Sequence, residues 1–503
     1  MLREKLNKIF SYPFFLYLLP FFFVFHGFTE NFFLVPVVPA LLLLAKYCCA
    51  TLVLHGVFFL IFRNNYKACL FSFILLCIFF FFGVFHDWLK AIVPGSFLAA
   101  YSFVLPFLLL LVLFAFLIIR KKTIAYKLAI YLNTVFVFFI FIDFFSLLQK
   151  TSGYDRQRQI KSISSEFIAC DTCNKPDVHL IIADEYAGEK TIKDVFSSNN
   201  SLFYEGLKKR KFQVVENSFS NYNLTPLSIA SILNLDYPEL KSNDLSDIPM
   251  RPVYNLIDTN ILVPFFIFHG YEFVNNSIFQ VSGQPQFTIQ PFTPVSTRLI
   301  ESQTMLNRLM KDLGYLLVKW GISGKAHGDN AYTTRNNNNK IIENLKKQVL
   351  VNSSKPRFTY SHLMMPHFPY YFDSLGNAAP LSLILDDKVN YWRVDRYLSY
   401  LKYTNSVLLN LVDHILQHSA KPPVIILLSD HGFRLFSEEV DHKYHFYNLN
   451  ATYLPAQYTI NLPDSISNIS YMRSLVNLLF RQQLSTNKQD KFFIPPITKP
   501  LDH

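Results

Sequence analysis

Several short clusters in this 503-residue chain carry side chains that could do chemistry together. Asp184 and Glu185 close the run L-I-I-A-D-E, and Asp430, His431 and Gly432 close L-L-S-D-H-G. Carboxylates combined with imidazole form a donor set that suits Zn²⁺ or Mn²⁺ better than Ca²⁺. Taken singly, each cluster can also be read as a capped turn. Thr225 precedes Pro226, a residue favoured in the first turn of a helix, so Thr225 is expected as an N-cap. A hydroxyl in that place beside a bound cation could also attack phosphorus, with helix N–H groups and the cation stabilising the negative oxygens.

The elements around these clusters decide between the two readings. D-V-H-L-I-I-A (177–183) and P-V-I-I-L-L-S (423–429) are short apolar runs rich in branched residues, which reads as two buried strands. Helices are expected at 202–210, 227–233 and about 395–418, and a further strand at 212–217. Alternating strands and helices indicate an α/β domain around a mainly parallel sheet. In such sheets, sites form beyond the carboxyl ends of the strands. Two strands delivering D-E and D-H there favour a divalent-metal site over two unrelated turns. R-N-N-N-N-K (335–340) reads as a polar loop, and the tail from 486 as irregular.

The first 150 residues are different. The chain has 51% hydrophobic and only 17% charged residues, and more than half of its 52 Phe fall in this stretch. That excludes a disordered chain and an ordinary soluble enzyme. Apolar stretches at 9–28, 40–62, 68–85, 97–119 and 128–148 are each near the length that spans a bilayer. Arg3, Lys5 and Lys8, then Arg63 and Lys67, then Arg120, Lys121, Lys122 and Lys127 alternate with weakly charged loops. This bias places the N-terminus in the cytoplasm and the C-terminal part outside. Lys46 and Asp143 lie inside the apolar runs near one end and are expected to snorkel. The net charge of +11 forms no basic block, so no nucleic acid is expected as a partner. Cys170 and Cys173, in C-D-T-C, are expected to form a disulfide if that segment is outside.

Four motifs occur in an order that resembles the membrane-anchored sulfatase-like branch of the alkaline phosphatase superfamily. They are L-I-I-A-D-E, T-P-L-S-I-A-S, H-L-M-M-P-H-F-P-Y (362–370) and L-L-S-D-H-G. That branch includes phosphoethanolamine transferases and lipoteichoic acid synthases. The resemblance implies a five-span α-helical membrane domain (1–150) and a juxtamembrane linker (151–176). An extracytoplasmic sulfatase-like α/β catalytic domain (177–485) with a mainly parallel central sheet and a tail (486–503) would follow. It implies Glu185 as an acidic metal ligand, with Asp184 as a second candidate, and Asp430 and His431 as the other ligands. Thr225 would be the nucleophile and touch the metal. His367 would contact the substrate phosphate, and His445 would serve a second metal or the leaving group. His362 and His442 are neighbouring spares. No Cys or Arg accompanies Thr225, so formylglycine chemistry is not expected, and Phe433-Arg434 stands where the lipid A transferases have Glu.

The function these readings imply is metal-dependent transfer of a phospholipid head group, of phosphoethanolamine or phosphoglycerol type, through a phospho-threonine. The donor would be a membrane phospholipid, and the acceptor a cell-envelope glycan or lipid. A phosphodiesterase or phosphatase on the same site is the competing enzyme reading. A non-catalytic membrane protein is the competing reading of another class.

Overall fold

The computed structural model of the chain describes residues 11–32, 35–121, 126–152, 168–170, 172–238, 250–288, 297–319, 332–387, 392–436 and 439–495. Arg3, Lys5, Lys8, Lys122 and most of the linker expected at 151–176 lie outside them, as does the end of the tail. The chain divides into two compact units, one of residues 1–155 and 294–327 and the other of 156–293 and 328–501.

The first unit holds helices α1 (Phe15–Glu30), α2 (Val37–Phe62), α3 (Asn65–Ile92), α4 (Tyr101–Lys121) and α5 (Tyr126–Ser152). Four of them, α2 to α5, are long and apolar enough to cross a membrane. The described part of α1 is apolar but has 16 residues, about 24 Å at 1.5 Å per residue. With no water to release inside a bilayer, such helices associate through close packing. The phenylalanines supply it: Phe23 stacks on Phe80 with centroids 4.4 Å apart, and Phe58 meets Phe71 edge-on at 4.6 Å. Lys46 and Asp143 are both paired. Asp143 meets His26 Nδ1 at 2.9 Å, and Lys46 meets Glu301 at 3.2 Å. Pairing, which the sequence reading did not include, satisfies an ionisable group at that depth better than extension alone.

The second unit is built on a six-stranded sheet. Its strands are β1 (Val178–Ala183), β2 (Gln213–Val214), β3 (Glu272–Asn276), β4 (Arg357–Leu363), β5 (Val424–Leu428) and β6 (Asn450–Tyr453), in the order β2-β6-β5-β1-β4-β3. The four strands β5, β1, β4 and β3 run parallel, and β6 is antiparallel to β5 and to β2. β1 and β5 are buried along their whole length, as strands covered on both faces must be. Val178, Leu180 and Ile182 point into one core with helix α6 (Thr225–Asn234). Ile181 and Ala183 point into another with α7 (Thr333–Leu350) and α8 (Val394–His418).

α7 overturns the loop expected at 335–340. Asparagine is a poor helix former, but here tertiary bonds outweigh propensity. Asn338 Nδ2 donates to Met364 O at 3.0 Å, and its Oδ1 accepts from Met364 N at 2.9 Å. Asn344 donates to Asn276 Oδ1 at 2.6 Å. The asparagines thus tie the helix to β3 and to the segment leaving β4. Cys170 and Cys173 form a disulfide.

Candidate metal centre

β1 and β5 are neighbours in parallel register, with Ile182 opposite Leu428. The same offset puts Asp184 level with Asp430, just past the two strand ends. Adjacent strands lie about 4.8 Å apart, so the two carboxylates face one small volume. One ligand atom each from Asp184, Asp430 and His431 falls within 4.8 Å of the others, and all three residues are buried. His431 Nδ1 lies 2.7 Å from Gly432 O, which only a protonated nitrogen can satisfy. Nε2 is thus the ring nitrogen turned toward the cluster, 3.3 Å from Asp430 Oδ2.

Thr225 joins this group. Its Oγ1 is 3.1 Å from His431 Nε2. The N-cap of α6 is Leu224, and Thr225 is the first helical residue, with no capping bond from a side chain. The hydroxyl expected to cap the helix instead faces the carboxylate–imidazole cluster.

Glu185 is not one of the three clustered ligands. It adopts φ 60°, a left-handed conformation that costs a residue with a Cβ about 1 kcal/mol. Its backbone N–H donates to Asp430 Oδ1 at 3.1 Å, and its carbonyl accepts from the Tyr397 hydroxyl at 2.9 Å. These bonds hold the turn. The side chain is consequently aimed elsewhere, with Oε1 accepting from Arg434 N at 3.2 Å and Oε2 3.8 Å from His367 Nε2. His367 is itself oriented by Phe368 O, 2.6 Å from its Nδ1.

Buried neighbours orient the cluster. His362 Nε2 lies 3.0 Å from Asp184 Oδ2, and its Nδ1 is 3.0 Å from the Tyr360 hydroxyl. His362, a neighbouring spare by its sequence position, is thus wholly buried behind a carboxylate, an arrangement that fixes ligand geometry. Ser429 donates to His431 O at 2.6 Å, and Asn468 donates to Ser429 O at 2.9 Å. A Cβ on Gly432 would come within 2.9 Å of His445 O and closer still to Tyr447 O, so this position excludes any side chain. Tyr360, Tyr397 and Asn468 carried no motif. Period-two alternation with His362 was the one available signal for Tyr360.

The electrostatics are those of two carboxylates sharing one site. Burial, then the charge of Asp430, pushes the Asp184 carboxyl well above its usual range. Burial opposes charge on Asp430 too, but His431 and His362 outweigh it and hold that carboxyl low. Burial, then Asp184, lifts Glu185 to about 8. Asp184 Oδ1, Asp430 Oδ2 and Glu185 Oε2 are buried without a hydrogen-bond donor among the described residues. Buried negative charge of this kind needs a positive counterpart, and the donor set fits a divalent cation.

His445 stands apart from the three ligands. Its ring lies between Phe436, at 4.8 Å, and Phe493, at 5.0 Å, both edge-on. Burial lowers its pKa to about 4, as it does for His362 and His367. His442 is exposed and stacks on Phe493 at 3.7 Å. Phe493 belongs to the tail, whose described residues, 486–495, are irregular as expected but firmly held. Asn221 Nδ2 donates to Lys488 O and Asp490 O, and Asn223 exchanges two bonds with Ile494.

Among solved structures, the chain is similar to the C-terminal periplasmic domain of EcEptC from Escherichia coli, at 12% identity over 65% of this chain and 92% of that one, with a TM-score of 0.39. The Zn complex of that domain gives 10% identity over 62% and 84%, with a TM-score of 0.37. A protein in the alkaline phosphatase superfamily from Vibrio parahaemolyticus gives 14% over 65% and 76%, with a TM-score of 0.37. No curated protein matches. The sulfatase family model matches residues 207–466, which include Thr225, His362, His367, Asp430, His431 and His445 but begin after Asp184 and Glu185. That match covers more than half of the 503 residues, and the chain belongs to the sulfatase family.

Proposed function

We propose that this protein is a membrane-bound transferase that moves a phospholipid head group to a cell-envelope glycan or lipid. The supporting observation is the convergence of the Thr225 hydroxyl with Asp184, Asp430 and His431. In this reading Asp184, Asp430 and His431 hold Zn²⁺ or Mn²⁺, and Glu185 adds a carboxylate beside them. The bound cation would lower the pKa of a coordinated hydroxyl and draw charge from phosphate oxygens.

Thr225 Oγ1 bonds to phosphorus while the bond from phosphorus to the diacylglycerol oxygen breaks. The head group stays on Thr225 as a phosphodiester. An acceptor hydroxyl then bonds to phosphorus and releases Thr225. His367 and His445, both held neutral by burial, bind phosphate oxygens or move protons at the attacking and leaving oxygens. The catalytic unit lies outside the cytoplasm, by the charge bias of the short loops. The spans tether it to the bilayer that holds its lipid donor.

Incubation with phospholipid vesicles followed by intact-mass measurement tests the reading. A mass increment of one head-group phosphate on Thr225 is expected, absent from Thr225→Ala. An active Thr225→Ala enzyme would sink the proposal. Membership of the sulfatase family also supports a hydrolase that passes the group to water. Turnover that does not depend on an added glycan or lipid acceptor would favour that reading.

A further inference from the structure

Residues 294–327 lie between β3 and β4 in sequence, yet they belong to the unit of the membrane helices. Residues 297–304 are wedged into the helix bundle. Ile300 is buried in the bundle core, and a Cβ on Gly27 would sit 2.9 Å from it. Gly83 N donates to Gln303 O at 2.8 Å, an approach that a side chain at position 83 would block. Glu301 accepts from Lys46 Nζ at 3.2 Å and the Tyr47 hydroxyl at 3.4 Å. All these contacts lie toward one end of the bundle, where α1 finishes and α2 begins.

The helix Met305–Lys319 follows. Two of its polar residues face the protein: Arg308 pairs with Asp87 of α3, and Asp312 accepts from the Tyr101 hydroxyl of α4. Leu306 and Met310 lie about 120–160° around the helix from those two, at 3.6 residues per turn. They are 58% and 37% exposed. This is the reverse of a helix that meets water, which turns its apolar side inward. Trp88 and Ile92 near the end of α3, and Phe97 in the turn before α4, are more than half exposed. The outward apolar face therefore continues the apolar surface of spanning helices.

We infer that Met305–Lys319 is seated in the lipid–water interface, with Leu306 and Met310 in the acyl boundary. The insertion between β3 and β4 is then a second membrane anchor of the catalytic chain, besides α5. Interfacial helices bury their apolar face about 5–10 Å into that boundary, which sets the depth to be read.

The test uses the full chain in vesicles of phosphatidylethanolamine and phosphatidylglycerol, with the four free cysteines replaced by alanine. Leu306→Cys and Met310→Cys, each labelled with bimane, are compared with Leu375→Cys, a position 86% exposed in the other unit. Acyl-brominated lipids are expected to quench the labels at 306 and 310, while iodide quenches only the label at 375. Two positions are read so that misfolding of one variant leaves the other. Iodide quenching at 306 and 310 equal to that at 375 would overturn the proposal. So would protection from both quenchers together with 306-to-306 cross-linking, because a second copy would then cover the face.

Discussion

Thr225 Oγ1 lies 3.1 Å from His431 Nε2, although 206 positions separate the two residues. The first residue of α6 and the turn after β5 meet because α6 packs against the sheet face that carries Val424, Ile426 and Leu428 of β5. A helix N-terminus thereby points its hydroxyl at two carboxylates and an imidazole.

Metal binding should appear as stability. Zn²⁺ or Mn²⁺ at a hundredfold excess over its dissociation constant is expected to add about 2.7 kcal/mol. The increment should vanish in Asp184→Asn and Asp430→Asn. Thermal unfolding with and without a chelator measures it, and equal shifts in wild type and Asp430→Asn would contradict the ligand assignment.

Glu185→Gly should raise stability and lower activity together. Glycine removes the left-handed penalty of about 1 kcal/mol and a buried carboxylate. It also deletes the group that faces His367. Unfolding in chelator, paired with turnover in metal, reads both effects, and a destabilised glycine variant would show that the turn is held by the side chain.

Buried His179 should give the protein an acid-sensitive window. Burial lowers its pKa to about 4, below the 6.5 of an exposed imidazole, and neither ring nitrogen has a hydrogen-bond partner among the described residues. The unfolded chain therefore binds more protons between those values. Its contribution is complete above pH 6.5, falls as pH drops toward 4, and is flat below. The loss is about 3 kcal/mol by the 1.36 kcal/mol per unit rule. The difference between wild type and His179→Leu isolates it from the other buried histidines, and parallel curves would refute it.

Phe493→Ala should loosen His445 without touching the ligands. A fall in kcat of about tenfold, or 1.4 kcal/mol, is expected with unchanged stabilisation by metal. Phe493→Leu should restore most of it by refilling the space beside the ring. Loss of metal stabilisation in Phe493→Ala would mean that the tail supports the whole site.

Much of the layout was legible because burial leaves a mark on sequence. Fully covered strands read as continuous apolar runs, so β1 and β5 were visible, and with them the two pairs of polar residues at their ends. The spanning helices were visible for the same reason. Asn338 was not legible, because its helix depends on backbone partners beyond β4 that no local pattern records. The insertion at 294–327 was equally hidden, since its apolar face and polar contacts make sense only beside α3 and α4.

The chain by itself determined an apolar membrane part, an α/β sulfatase-family part, and which strand ends carry donors. Local composition dictates those features. Tertiary structure alone decided which member of each polar pair meets the other. The register of β1 with β5 sets Asp184 against Asp430, and the left-handed turn at Glu185 swings that side chain toward His367. Both follow from hydrogen bonds between residues far apart in the chain, which spacing cannot express.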